Sequence, residues 1–138
     1  MKRSASRSAL AFFEAFNSRD FDLLSHLLDP DCLFIDSTGD HLVGADEMIA
    51  VIRKLVAIEP SFRCIVEDSV GHKESVLLRG RVESDVPEQD GRVIWQMRSS
   101  GGRISRLQSF RKEGALPMIR LFGPDDGPML QNDRPALA

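Results

Sequence analysis

The fold is decided by four short runs: FRCIVEDSV at residues 62–70, SVLLRGRVES at 75–84, VIWQMRS at 93–99 and ISRLQSFR at 104–111. Each run is rich in the β-branched and aromatic residues that favour strands. Turn-forming residues separate them, at Gly71-His72, at 87–91 and at Gly101-Gly102. Connections this short join antiparallel strands. The second half of the chain is therefore predicted to form an antiparallel meander.

Three helices are predicted before the meander. Ala9, Phe12, Phe13 and Phe16 recur at helical spacing and give the first helix one apolar stripe. A second, short helix begins after Asp20 and is stopped at residue 30 by a proline, and a third spans about 44–59. Residues 32–36 form a strand between them. We predict an α+β fold in which three helices pack inside a strongly curved, mainly antiparallel sheet that forms a cone.

Composition narrows the class of protein. A chain of 138 residues is one domain, and we assign 1–112 to it and 113–138 to a Pro/Gly-rich C-terminal extension, disordered in part or contacting a partner subunit. The net charge of -3 predicts no nucleic-acid or membrane partner. Cys32 and Cys64 are too few for a disulfide framework, so reduced, buried thiols and a cytoplasmic location are expected. No cofactor or metal motif is found.

Several short segments, taken in order, resemble the ketosteroid isomerase and SnoaL-like branch of the nuclear transport factor 2-like (NTF2-like, cystatin-like) superfamily. In the front half they are Phe12-Phe13-Glu14, 19–22 and Phe34-Ile35-Asp36 followed by two glycines. In the back half they are 93–98, a Gly-rich turn, and 103–110. The resemblance covers about residues 8 to 111. It implies a pocket inside the cone, while the superfamily as a whole hosts enzymes, binding proteins and transport factors.

The resemblance also implies a candidate catalytic residue. Ketosteroid isomerase, a standard case of pKa tuning, moves a proton with one aspartate and holds the oxyanion with a tyrosine and a protonated aspartic acid. Asp36 falls at the position of the proton-shuttling aspartate. Phe12 replaces the tyrosine and Trp95 the second acid, and the chain contains no tyrosine at all. Only one of the three parts is therefore present, which argues against steroid isomerisation.

The remaining candidates are expected to line the pocket. The predicted ligand-pocket residues are Phe12, Phe16, Phe34, Trp95, Met97, Leu107, Ser109 and Arg111. Asp36 has two interpretations: a carboxylate on the pocket face of its strand, or an Asx-turn residue whose side chain turns into residues 37–39. The phenylalanines and Trp95 are equally consistent with ordinary core. His41 has two interpretations as well: a partner for Asp36, or a loop residue.

The arginines separate into two groups. Arg79 and Arg81 share one strand face, which we interpret as a solvated outer face or a dimer interface. Arg111 shares a parity with Leu107 and Ser109, and an inward guanidinium there would suit an anionic or carboxylated ligand.

Two functions are consistent with this sequence. One is an enzyme of the isomerase, cyclase or hydratase kind, with Asp36 as general base acting on a small apolar carbonyl compound. The other is a non-catalytic pocket protein for a small apolar or amphipathic molecule, or a dimeric interaction module. In either case the resemblance implies a homodimer.

Overall fold

The computed structural model describes residues 4–111 and 116–124 and shows the predicted α+β fold. Its helices and strands follow in the order α1 (Ala5–Ser18), α2 (Phe21–Leu27), β1 (Leu28–Ile35), β2 (His41–Val43), α3 (Ala45–Ile58), β3 (Arg63–His72), β4 (Ser75–Glu83), β5 (Gly91–Ser100), β6 (Arg103–Phe110) and α4 (Met118–Phe122). The expected arrangement of three N-terminal helices against a curved sheet is confirmed.

Helix α1 begins and ends through identifiable contacts. Ser4 caps it, because its hydroxyl accepts a hydrogen bond from the backbone N–H of Arg7. It ends at Arg19, which adopts a left-handed conformation with φ of 60°. The guanidinium of Arg19 then donates to three backbone carbonyls, those of Phe16, Pro60 and Phe62. These contacts fix the end of α1 against the segment that leads into β3.

The six strands form one sheet in the order β2-β1-β6-β5-β4-β3. Every neighbouring pair is antiparallel except β1 and β6, which run parallel. β1 and β6 come from opposite ends of the domain, so no hairpin constrains their relative direction. Buried and exposed residues alternate along β4 and β5, so one face of the sheet covers the helices and the other faces outward.

Gly80 marks a place where two strands approach closely. A Cβ at this position would lie 1.9 Å from the carbonyl oxygen of Ile65 and 3.1 Å from Cζ3 of Trp95. The facing strand has a register shift between Val66 and Asp68, next to the glycine. Only a residue without a side chain fits here, so Gly80 permits the close approach of β3 and β4 and leaves room for the indole.

Two segments differ from the prediction or extend it. The second helix ends at Leu27, and β1 begins at Leu28, before Pro30; the proline lies where the β1–β6 register shifts between Leu28 and Leu33. Within the segment assigned as an extension, residues 118–122 form α4 and bury Ile119 and Phe122. Residues 112–115 and 125–138 of that predicted extension lie outside the described part of the chain.

Candidate functional site

A cavity of about 90 Å³ lies between α1, α3 and the concave face of the sheet. Its wall is mostly apolar and is contributed by all layers of the fold. The lining residues are Phe12, Phe13, Phe16, Phe34, Ser37, Met48, Val51, Ile52, Leu55, Phe62, Cys64, Val82, Gln89, Val93, Trp95, Leu107, Ser109, Arg111, Leu116 and Met118. Sites for drug-sized ligands usually measure about 300–1,000 Å³. The space here is well below that range, so a ligand that enters it must be small.

Aromatic rings form one wall of the cavity. The rings of Phe12 and Phe13 meet edge to face with centroids 5.2 Å apart, and Phe13 lies 4.5 Å from Trp95. Phe16 lies 5.7 Å from Phe62. Among the described residues, nothing accepts a hydrogen bond from the indole N–H of Trp95, although buried indoles usually have such a partner. Trp95 is therefore both a wall of the cavity and a donor that the described residues do not use.

The polar part of the lining is small. The hydroxyls of Ser37 and Ser109 are hydrogen-bonded to each other at 3.0 Å. Gln89 is 1% exposed, and its amide nitrogen donates to Glu59 Oε2 at 3.1 Å and to the sulfur of Met118 at 3.3 Å. Glu59 also accepts from the hydroxyl of Ser84. The buried glutamate thus fixes the orientation of the Gln89 side chain at the cavity wall.

Arg111 follows the last residue of β6 and is half-buried. Its guanidinium donates to the backbone carbonyl of Gln89. Burial lowers the pKa of Arg111 from its ordinary value, an effect that Cys64 and Asp90 partly oppose. The side chain still carries its charge at neutral pH, since arginine titrates far above it. It therefore brings a positive charge to the cavity wall.

Cys64 lines the same cavity as a neutral group. Burial raises the pKa of its thiol to about 12, against smaller opposing effects of Arg19, Arg111 and Arg63. At neutral pH the thiol is protonated and is a poor nucleophile. Cys32 is also buried and unpaired, with its pKa raised to about 12 by burial and by Asp29.

Asp36 is engaged in a turn, which corrects the expectation that its carboxylate faces the cavity. The residue is 1% exposed and is not among the lining residues. Its Oδ1 accepts three hydrogen bonds, from Thr38 N at 3.0 Å, Thr38 Oγ1 at 2.8 Å and Asp40 N at 3.1 Å. This is the Asx-turn alternative, favoured because the strand ends at Ile35 and the chain reverses immediately afterwards.

The second carboxylate oxygen of Asp36 holds helix α4. Its Oδ2 accepts a hydrogen bond from the backbone N–H of Ile119 at 3.0 Å, in a buried position. Four residues further on, Asp40 forms an ion pair of 3.0 Å with Arg120. Both contacts tie α4 to the β1–β2 turn, and α4 in turn contributes Met118 to the cavity wall. Asp36 therefore acts on the cavity indirectly, through the position of α4.

The structure brings together most of the predicted pocket residues. Those that line the cavity are Phe12, Phe16, Phe34, Trp95, Leu107, Ser109 and Arg111. Met97 does not, which corrects its assignment: it shares a face with Trp95, but it is 1% exposed and lies further along β5, opposite Leu107 and Val76 in the core. His41 is an exposed residue of β2 and makes no hydrogen bond to Asp36.

Sequence reasoning missed several lining residues. Phe13 and Ser37 lie next to predicted positions, and Cys64 was interpreted only as a buried thiol. Gln89 belongs to the predicted turn at 87–91 between two strands. A polar residue of this kind becomes recognisable only when its partner Glu59 is known, because that glutamate lies 30 residues away in the chain.

Other kinds of site receive no support from the described residues. Within 4–111 and 116–124, no group of three or more His, Cys, Asp or Glu side chains is arranged to hold a metal ion. In the same ranges, no helix has the length and apolar character needed to cross a membrane.

Comparison with known proteins identifies the family. Residues 9–107 match the family model of the SnoaL-like domain. The chain therefore belongs to the SnoaL-like family of the NTF2-like superfamily, which confirms the predicted resemblance. A search of curated protein sequences finds no match.

Solved structures share the fold at low sequence identity. A candidate polyketide cyclase from Sinorhizobium meliloti is 21% identical with a TM-score of 0.69, covering 75% of this chain and 93% of its own. An LEH-like epoxide hydrolase from M. tuberculosis is 18% identical with a TM-score of 0.67, covering 77% and 80%. A candidate ketosteroid isomerase from Kribbella flavida is 17% identical with a TM-score of 0.68, covering 82% and 81%. At these identities the likeness establishes the fold alone.

Proposed function

We propose that this protein binds a small, largely apolar molecule of about one ring in the cavity between α1, α3 and the sheet. The observation that carries the proposal is the composition of the cavity wall, in which aromatic and aliphatic side chains surround a few polar groups. Sites for small ligands have this character, since apolar walls supply affinity and a few polar groups fix orientation. The polar groups here are Ser37, Ser109, Trp95 and Arg111.

The named relatives support a small-molecule function in general terms. A cyclase, an isomerase and an epoxide hydrolase all act on small organic compounds, and each shares this fold. The space of about 90 Å³ is too small for a steroid or a polycyclic substrate unless α4 moves. The proposal is therefore a smaller ligand than those that the family resemblance suggests.

NMR titration with phenol, a neutral one-ring probe, tests this proposal. We expect chemical-shift changes at the backbone amides of Phe34, Trp95 and Ser109, and stabilisation of the fold that rises with probe concentration. The exposed residue Ile94, on the outer face of the same strand as Trp95, serves as an internal control. Changes that spare the cavity residues, or no changes up to saturating probe, would contradict the proposal.

Catalysis by Asp36 is the second candidate function. It rests on the position that the resemblance gives to this residue and on its direct chain neighbour Ser37, which lines the cavity. Four hydrogen bonds to the carboxylate oppose it, because a general base must be within reach of the proton that it removes. Asp36-dependent turnover of a small carbonyl compound, in a variant shown to be folded, would establish it.

We also propose a homodimer formed through the outer face of the sheet. Leu77, Ile94 and Phe110 are 49%, 40% and 45% exposed on this face, and Ile94 and Phe110 are cross-strand partners. An exposed apolar group within a sheet is typical of an interface. Sedimentation should give a dimer for the wild type and a monomer for Ile94→Lys. The control Ile58→Lys, at the end of α3, should remain a dimer; a monomeric wild type refutes the idea.

A further inference from the structure

The described cavity wall carries a positive charge that no carboxylate of the same wall neutralises. Among the lining residues of the described chain, Arg111 is the one that is charged at neutral pH. The described lining residues include no aspartate and no glutamate, and burial keeps the thiol of Cys64 protonated. A ligand in contact with these residues would therefore meet a positive charge at the wall itself. Such a lining favours an anionic ligand over a cationic one.

Other arginines of the described chain form ion pairs in which a carboxylate neutralises the guanidinium. Arg79 pairs with Asp68 at 2.7 Å, and Arg81 pairs with Glu83 at 2.7 Å, both on the outer face of the sheet. Arg111 has no carboxylate within 4.0 Å among the described residues, and its hydrogen bond goes to the neutral carbonyl of Gln89.

Asp90 also acts on Arg111 as a source of negative charge. It is exposed, and its Oδ1 accepts a hydrogen bond from the backbone N–H of Ser84 at 3.0 Å. Because Asp90 is exposed, water screens its charge, and it makes no ion pair with the guanidinium within 4.0 Å.

The contacts around Arg111 also restrain the position of its guanidinium. The carbonyl that it contacts belongs to Gln89, whose side chain is fixed by Glu59 and by Met118. Both hydrogens of the Gln89 amide nitrogen already have acceptors within the protein. This amide therefore has no hydrogen left to donate to a ligand. The remaining donors on the described cavity wall are the indole of Trp95 and one serine hydroxyl, since the other donates within the Ser37–Ser109 pair.

From this arrangement we propose that the ligand is a one-ring carboxylic acid, bound as its carboxylate by Arg111 with the ring against the aromatic wall. The inference rests on the proposed binding function and adds the charge of the ligand to it. A guanidinium and a carboxylate match as a two-point hydrogen-bonded pair, and Trp95 supplies a further N–H donor. The apolar side chains of α3 and the aromatic wall accept the ring.

The test compares benzoate with its neutral isostere benzamide by calorimetric titration of the full chain at pH 7. The wild type should bind benzoate at least about tenfold more tightly than benzamide, as expected for a charge-assisted pair. Arg111→Met should abolish this preference, because it weakens the binding of benzoate far more than the binding of benzamide. The control Arg92→Met removes the same charge from an exposed ion pair with Glu67 and should keep the preference.

The outcomes separate the two proposals. Equal binding of benzoate and benzamide by the wild type overturns the carboxylate inference and leaves the apolar cavity in place. A benzoate preference that survives in Arg111→Met overturns the role of Arg111. Binding of neither compound refutes the proposed one-ring ligand and this inference with it. The first comparison uses the wild type alone, so it decides the charge of the ligand even if the variant fails to fold.

Discussion

Replacement of Asp36 should destabilise the protein before it affects any chemistry. Asp36→Ala removes the acceptor of four hydrogen bonds, two of which come from the buried N–H groups of Asp40 and Ile119. A buried donor left without a partner costs about 1–3 kcal/mol, so two of them predict a loss of about 2–6 kcal/mol. Domains of this size have about 5–15 kcal/mol in total, so the loss is a large fraction.

Asp36→Asn should have a smaller effect. The amide oxygen keeps the three bonds of Oδ1, while the amide nitrogen faces the N–H of Ile119, donor against donor. We expect a loss of about 1–3 kcal/mol from this single contact. Helix α4 should loosen first, because it loses its buried link to the turn.

Urea unfolding, followed by tryptophan fluorescence of Trp95, measures both changes. Asp68→Ala is the matched control: it removes an aspartate from the exposed ion pair with Arg79, which should contribute less than about 1 kcal/mol. If Asp36→Ala costs no more than this control, the turn and the α4 contact are not held by Asp36 and our interpretation of its role is refuted. The result also governs activity assays, because an inactive Asp36→Asn variant implies proton transfer only if α4 is still in place.

Three further predictions concern the framework of the cavity. Gly80→Ala should lower the free energy of unfolding by about 1–3 kcal/mol or more in urea titration, since its methyl group meets the Ile65 carbonyl; unchanged stability would contradict this close approach. Arg19→Ala should cost about 1–3 kcal/mol by the same measurement, because three carbonyls lose their donor, whereas an effect within error would mean that water replaces the guanidinium. Burial raises the pKa of the Cys64 thiol from about 9 in the unfolded chain to about 12 in the folded protein. The protonated thiol therefore stabilises the fold fully below pH 9, and this contribution is lost as the pH rises towards 12. Stability should therefore fall by about 1.4 kcal/mol per pH unit in this window for this thiol, and Cys64→Ala should have a correspondingly smaller slope.

The fold was predictable because its signals are local and repeated. Alternation in the four runs and the apolar stripe of α1 each depend on neighbouring residues, so the sequence alone indicates which face is buried. Alternation also puts Trp95 and Met97 on the same strand face, and the resemblance implies that this face points inward. Of these two residues Trp95 lines the cavity and Met97 does not, because parity tells which face a residue occupies and not how far along the strand the cavity extends.

The site was harder to predict because its polar contacts are long-range. Asp36 has the parity of Phe34, yet its direction is set by a turn at 37–40 and by the N–H of Ile119, 83 residues away. Gln89 depends on Glu59 in the same manner. Patterns along the chain do not carry such pairings. The role of Asp36, which the resemblance assigns to catalysis, depends on contacts of this long-range kind.

The residues at the three positions that the resemblance assigns to catalysis favour ligand binding over proton transfer. Phe12 cannot donate a hydrogen bond, Trp95 supplies a donor without acid character, and Asp36 is occupied by the turn and α4. An oxyanion that forms by removal of a proton needs a base within reach of that proton. Here the permanent charge of Arg111 lies on an apolar wall, and the described lining residues include no such base. A fixed cation in this setting matches an anion that the ligand already carries, and the comparison of benzoate with benzamide measures that match directly.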